Sequence, residues 1–104
     1  MERSLLLRFT GDAPLFRMID FLIEHKGMDF SKTDIARGAG IARASVFNHW
    51  DTMETFQIVK QTRQYGKTRL YTLDTGSQVT RRLLELERTL IARKIHAKKE
   101  AAAH

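Results

Sequence analysis

The chain has 104 residues, 42% hydrophobic and 29% charged, which is one ordinary globular domain and excludes a disordered chain, a collagen-like repeat and a large two-lobed enzyme. The apolar run Leu5-Leu6-Leu7 is far shorter than the roughly 20 residues of a membrane span or the apolar region of a signal peptide, and the lack of cysteine excludes disulfides and thiolate zinc sites and fits a reducing, cytoplasmic compartment. The net charge of +6 favours a polyanionic partner, and it is concentrated: residues 58–73 hold Lys60, Arg63, Lys67 and Arg69 with no acid.

Met1 to Phe9 reads as a short strand or a helical turn, since so short a run carries no decisive period. Thr10-Gly11-Asp12 breaks it. A helix then starts at Asp12 or Ala13, with Pro14 in the first turn, where its missing N–H costs nothing. Leu15, Met18, Ile19, Leu22 and Ile23 form its buried stripe, widened by Phe21, and Gly27 is expected to end it as a left-handed cap. Asp20 and Glu24 fall on the side expected to be exposed. Ser31 with Asp34 three residues on is a capping-box-like start of a short helix, which Gly38 and Gly40 are expected to close. A third helix begins near Ala42 and runs through Val46, Phe47, Trp50 and Met53. Two short helices joined by a glycine-containing turn make a helix-turn-helix.

Beyond Thr55 the period changes. Ile58 to Gln64 and Thr68 to Leu73 are β-type runs about Tyr65-Gly66-Lys67, which predicts a hairpin. From Ser77 to about Lys99 the spacing predicts a long helix with Val79, Leu83, Leu86 and Leu90 on one stripe and Leu84, Ile91 and Ile95 beside it. Lys94 to His104 reads as a frayed or disordered tail, its Lys98 and Lys99 free to meet phosphate.

The stretch Asp34-Ile35-Ala36-Arg37-Gly38-Ala39-Gly40-Ile41-Ala42-Arg43-Ala44-Ser45-Val46-Phe47-Asn48-His49-Trp50, followed by a basic hairpin and a long helix, resembles the winged helix-turn-helix regulators of bacteria and archaea. The resemblance covers roughly Asp12 to Leu90. Ile35 and Ala36 look like the inward face of the first motif helix, Gly40 like the turn glycine, and Ile41 and Val46 like the core positions after it. Phe56-Gln57-Ile58-Val59-Lys60 resembles the helix-to-wing junction, but Gln57 stands where a glycine often precedes the Ile-Val pair. The resemblance implies a mainly α fold with a small β-hairpin wing: a DNA-binding domain over residues 1–76, and a C-terminal dimerisation helix and basic tail over 77–104. It implies a transcriptional regulator that reads double-stranded DNA with a recognition helix over about residues 42–54 and a basic wing over 60–70.

The residue types suit that chemistry. A major groove admits one α-helix, and Val46, Trp50 and Met53 on one side leave Arg43, Ser45, Asn48 and His49 nearer the other. Arg43 suits guanine and Asn48 adenine; Ser45 and His49 suit base or phosphate. Ser31 and Lys32, at the start of the first motif helix, are assigned to the same interface. Arg63, Lys67 and Arg69 are placed to reach phosphates or the minor groove, with Tyr65 at the tip. The bland alternatives are a solvated helix face and a charged hairpin that deters edge pairing.

Val79, Leu83, Leu86 and Leu90 have the spacing of a helix-pair seam and predict a homodimer; burial against the chain's own first segments is the alternative. His25, His49, His96 and His104 are scattered without metal-ligand spacing, and Trp50 reads as a core anchor. No metal, no cofactor, no membrane and no catalytic activity are expected. The competing class is a winged helix that binds RNA or protein without operator specificity.

Overall fold

The computed structural model describes residues 4–102. In chain order they form α1 (Leu5–Thr10), α2 (Pro14–Glu24), α3 (Lys32–Ala39), α4 (Arg43–Thr55), β1 (Val59–Tyr65), β2 (Thr68–Leu73) and α5 (Gln78–Ala102). Met1, Glu2 and Arg3 of the first expected segment lie outside the described residues, and Leu5-Leu6-Leu7 is helical. Ser4 decides this locally: its Oγ accepts from the Leu7 N–H at 3.1 Å, capping α1. The same hydroxyl donates to Asp20 Oδ1 at 2.7 Å. Asp20 is therefore buried rather than exposed. The spacing within α2 showed that Asp20 lies off the main apolar stripe, but not that α1 folds over that side. Glu24 is exposed as expected.

Met18, Ile19, Leu22 and Ile23 of α2 are buried against Ile35 and Ala36 of α3 and Val46, Trp50 and Met53 of α4. The α2 helix ends at Glu24 with His25 as its cap, and Gly27 lies two residues further on in the following turn instead of capping the helix. Ser31 and Asp34 form a full capping box, each side chain satisfying the other's backbone N–H at 3.1 Å. Of the two glycines expected to close α3, only Gly40 does so, with the left-handed φ of 68° that a side chain would resist. Gly38 lies inside the helix, where it leaves room for the Phe21 ring of α2.

After α4 the chain turns through Gln57, whose φ of 55° is left-handed although it is not glycine. Gln57 thus holds, at a cost, a conformation that glycine adopts freely. Ile58, Val59 and Leu73 root the antiparallel hairpin in the core. Gly66, with φ of 58°, makes its two-residue turn. Phe30 pairs with Tyr71 as a one-residue third strand, through hydrogen bonds of 2.7 and 2.8 Å.

Ser77 caps α5, its Oγ accepting from the Thr80 N–H at 3.1 Å. The helix continues to Ala102, so the segment from Lys94 that reads as frayed is helical through that residue. Its 25 residues span about 37 Å at the α-helical rise. The first half packs on α1 and the core through Leu83, Leu84, Leu86 and Leu90, while residues 91–101 are exposed.

Gly38 gives a sharp test of the α2–α3 crossing. On helix propensity alone, Gly38→Ala would stabilise by about 1 kcal/mol. The added Cβ runs into the Phe21 ring, and overpacking of about 1–3 kcal/mol outweighs that gain, so a net destabilisation of up to about 2 kcal/mol is expected. Urea denaturation measures it, and an unchanged or raised midpoint would contradict the crossing described.

Candidate nucleic-acid interface

The inward stripe of α4 sets the direction of everything else on that helix. With Val46, Trp50 and Met53 buried, Ala44, Phe47, Asn48 and Asp51 are exposed on the outer arc. Arg43 is exposed in the first turn, while Ser45 and His49 are half-buried on one flank. Periodicity therefore separates the core side correctly but does not single out Phe47, which is 48% exposed, or Asp51. The signal for Phe47 was available: it lies one residue past Val46, about 100° around the helix from the buried stripe.

A cleft of about 560 Å³ opens between the first turn of α3, the first turn of α4 and the hairpin. Ser31 and Lys32 line it from α3, Arg43 and Phe47 from α4, and Lys67 and Arg69 from the wing. Four cations from three separate segments thus surround one concavity. Asp34 also lines it, but its carboxylate accepts the Ser31 N–H in the capping box. Among the described residues, none of the four cations is in an ion pair.

The aromatic side chains hold two of these cations in place. The Lys32 ammonium lies 4.9 Å from the Trp50 ring centre, 5.1 Å from Phe47 and 5.8 Å from Tyr71. The Arg43 guanidinium lies 5.4 Å from the Phe47 ring. Contacts of this kind contribute about 0.5–1 kcal/mol each at exposed sites. They leave the charge uncancelled.

Arg63 stands apart from the cleft. Strict alternation would put Gln61 and Arg63 on one face of the hairpin. A bulge between them changes the register, so Gln61 pairs with Tyr71 whereas Arg63 pairs with Leu70. Arg63 thereby turns to the opposite face. There its Nε and Nη2 donate to the two oxygens of Asp29 at 2.8 and 2.9 Å, and Nη1 donates to the Tyr65 hydroxyl at 2.9 Å. Thr62, the bulged residue, donates to Asp29 at 2.6 Å. This clamp joins the wing to the α2–α3 loop, and nothing in the sequence spacing announces it.

The four expected seam residues also divide. Leu83, Leu86 and Leu90 are half-buried against the chain's own core, while Val79 is 40% exposed. Phe9 on α1 and Ile91 and Ile95 on the far half of α5 are among the apolar side chains left exposed, with Met28 and Phe56 elsewhere on the surface. Among the described residues no cluster of His, Asp or Glu side chains is placed to hold a metal, and no helix is long and apolar enough to cross a membrane.

No protein-family model and no curated protein sequence matches the chain. Solved structures do resemble it. AntR, an antimony-specific transcriptional repressor, is 21% identical with a TM-score of 0.59, over 88% of this chain and 78% of the repressor. A mutant of TubR, from type III plasmid segregation, is 18% identical with a TM-score of 0.57, over 92% of this chain and 96% of that one. A MarR family protein from Bacillus stearothermophilus is 17% identical with a TM-score of 0.55, over 94% and 75% of the two chains. Likeness at this identity is likeness of fold. The chain is a winged helix-turn-helix, mainly helical, with a two-stranded wing and a long C-terminal helix.

The clamp predicts a titration. Hydrogen bonds from Arg63 first, then Thr62, lower the Asp29 carboxyl from 3.8 to about 2. A carboxylate depressed in the folded state stabilises it fully above the ordinary value and loses that contribution as pH falls toward the lowered one. The clamp should therefore hold at neutral pH and release between about pH 4 and 2. Carboxyl-detected NMR should find Asp29 titrating near 2 in the parent and well above that in Arg63→Ala. Identical titrations in the two proteins would show that the pair does not form in solution.

Proposed function

We propose that the protein is a sequence-selective double-stranded-DNA-binding regulator of transcription, working in the cytoplasm as a homodimer. One observation carries the reading: Lys32, Arg43, Lys67 and Arg69 converge on the cleft between the helix-turn-helix and the wing, with no ion pair to any of them among the described residues. Duplex DNA carries one charge per about 1.7 Å of axis, and cations that neutralise phosphates gain affinity by releasing counterions. The outer arc of α4 then enters the major groove, with Arg43 and Asn48 facing base edges. Lys67 and Arg69 track the backbone, and Lys32 and Ser31 meet phosphate at the start of α3. The regulators and the segregation protein that share the fold support this assignment. The role is binding, and no residue is assigned a catalytic step.

Arg63 has a different part in this reading. Its guanidinium is engaged by Asp29, so it acts by fixing the wing's position and not as a phosphate contact. The RNA-binding alternative has less support, because Tyr71 is buried and Tyr65 is the one aromatic exposed on the hairpin. Recognition of unpaired bases uses exposed aromatic faces for stacking.

Randomised-site selection with the purified protein, followed by competition between the selected duplex, random duplex and structured RNA, tests the proposal. Arg43→Ala and Asn48→Ala should each lose roughly 1–3 kcal/mol of preference for the selected site. Lys67→Ala with Arg69→Ala should weaken all duplexes alike and flatten the salt slope by about two, whereas Arg63→Ala should leave the slope unchanged. Selection of no common sequence, or equal affinity for RNA, would defeat the proposal.

The homodimer is assigned to the apolar surface that the monomer leaves open. Leu83, Leu86 and Leu90 are only half covered, and Ile91 and Ile95 continue outward one helical turn apart. Two-fold pairing there would present two recognition helices to half-sites about 34–36 Å apart. Ile91→Glu with Ile95→Glu should convert the dimer to a monomer in sedimentation while its circular dichroism stays that of the folded parent, and should remove any dependence of the melting temperature on protein concentration. A monomeric parent, or a variant as dimeric as the parent, would refute this surface.

A further inference from the structure

We infer that Phe47 is a specificity-determining residue that reads the C5-methyl group of a thymine in the major groove. The inference deepens the DNA-binding reading above and rests on it. A phenylalanine 48% exposed on the outer arc of a helix contributes little to the core, whose α4 side is filled by Val46, Trp50 and Met53. The Lys32 ammonium and the Arg43 guanidinium lie 5.1 and 5.4 Å from its centre, which sets an apolar surface directly beside two positive charges.

That setting narrows the occupant. A purely apolar protein surface would have to desolvate Lys32, Arg43, Lys67 and Arg69 without pairing them, a costly burial. Duplex DNA pairs such cations with phosphates and guanine, and its major groove offers one apolar handle, the thymine methyl, which phenylalanine is among the side chains suited to contact. The stacking of Arg43 on Phe47 ties the two readings together. The guanidinium is 5.4 Å from the ring, and successive bases on one strand are spaced by about 3.4 Å. The thymine therefore lies within one or two steps of the guanine that Arg43 contacts.

The experiment uses the duplex obtained by site selection with the full chain. Each thymine in turn is replaced by deoxyuridine, which removes only the methyl group. One replacement, within two steps of a guanine whose recognition is lost in Arg43→Ala, should weaken binding roughly four-fold, the worth of burying one methyl group. Phe47→Ala should bind the parent site more weakly and lose its sensitivity to that replacement. Phe47→Leu, which keeps an apolar tip, should retain part of it. Thermal melting of both variants close to the parent would exclude unfolding as the cause. If no deoxyuridine replacement matters, if the sensitive thymine lies elsewhere, or if Phe47→Ala keeps the full sensitivity, the assignment is overturned. A parent that selects no duplex would remove the DNA-binding reading itself, and this inference with it.

Discussion

Tyr71 is the joint on which the cleft depends. Its backbone pairs with Phe30, just ahead of α3, and its ring meets Trp50 of α4 edge-on at 4.7 Å and 70°. The strand that carries it also carries Arg69 and runs from the wing's tip to its buried root. One residue thus holds the three segments around the cleft in fixed relation. An edge-to-face pair contributes about 0.5–1.5 kcal/mol beyond its buried area, and the two backbone bonds remove the alternative of a wing that hangs only from its own ends. The Asp29–Arg63 clamp acts on the same hinge from the opposite face of the hairpin. Wing orientation is therefore set from both sides, one contact buried and one exposed.

The distribution of charge matters more than its sum. Within the basic run of residues 58–73, Arg63 is turned away and neutralised, whereas Lys67 and Arg69 reach the cleft. Lys32 and Arg43 come from a part of the chain, residues 31–57, in which acids and bases balance. Asp34 is close enough to oppose them, but its carboxylate is held by the capping box. A single aspartate can start a helix and, by the direction it faces, leave a neighbouring cation available. No count along the sequence distinguishes these cases, because folding decides which charges share a surface.

The helix-turn-helix was legible because its signals are local. Ser31 with Asp34, the left-handed Gly40 and the Val46–Trp50–Met53 spacing each describe contacts within one or two turns. The hairpin was legible for the same reason, from its β-branched runs and Gly66. What the spacing missed is tertiary. Asp20 is buried because another helix covers it, and Gly38 is shaped by a ring from α2. Arg63 faces away because one extra residue, Thr62, shifts the pleat. The stripe on α5 reads as a dimer seam with the chain's own first segments as the alternative cover, and α1 takes up part of it, since a heptad-like spacing says that a stripe is covered but not by what.

The cleft is built before any partner arrives. A free lysine side chain loses up to about 2 kcal/mol of conformational entropy when it is fixed, and binding that immobilises it must overcome that loss. Lys32 already rests over three aromatic rings, and Arg43 over one of them. A partnering carboxylate would have fixed these side chains equally well, but it would also have neutralised them. Aromatic faces restrain a cation and leave its charge and its hydrogen-bond donors for a ligand. Trp50 and Tyr71 can serve in this way because they are anchored in the core, so part of the ordering cost is met by folding. Phe47 differs from them in being exposed. Among the cleft's rings it is the one that both contacts the cations and is open to a ligand they would attract.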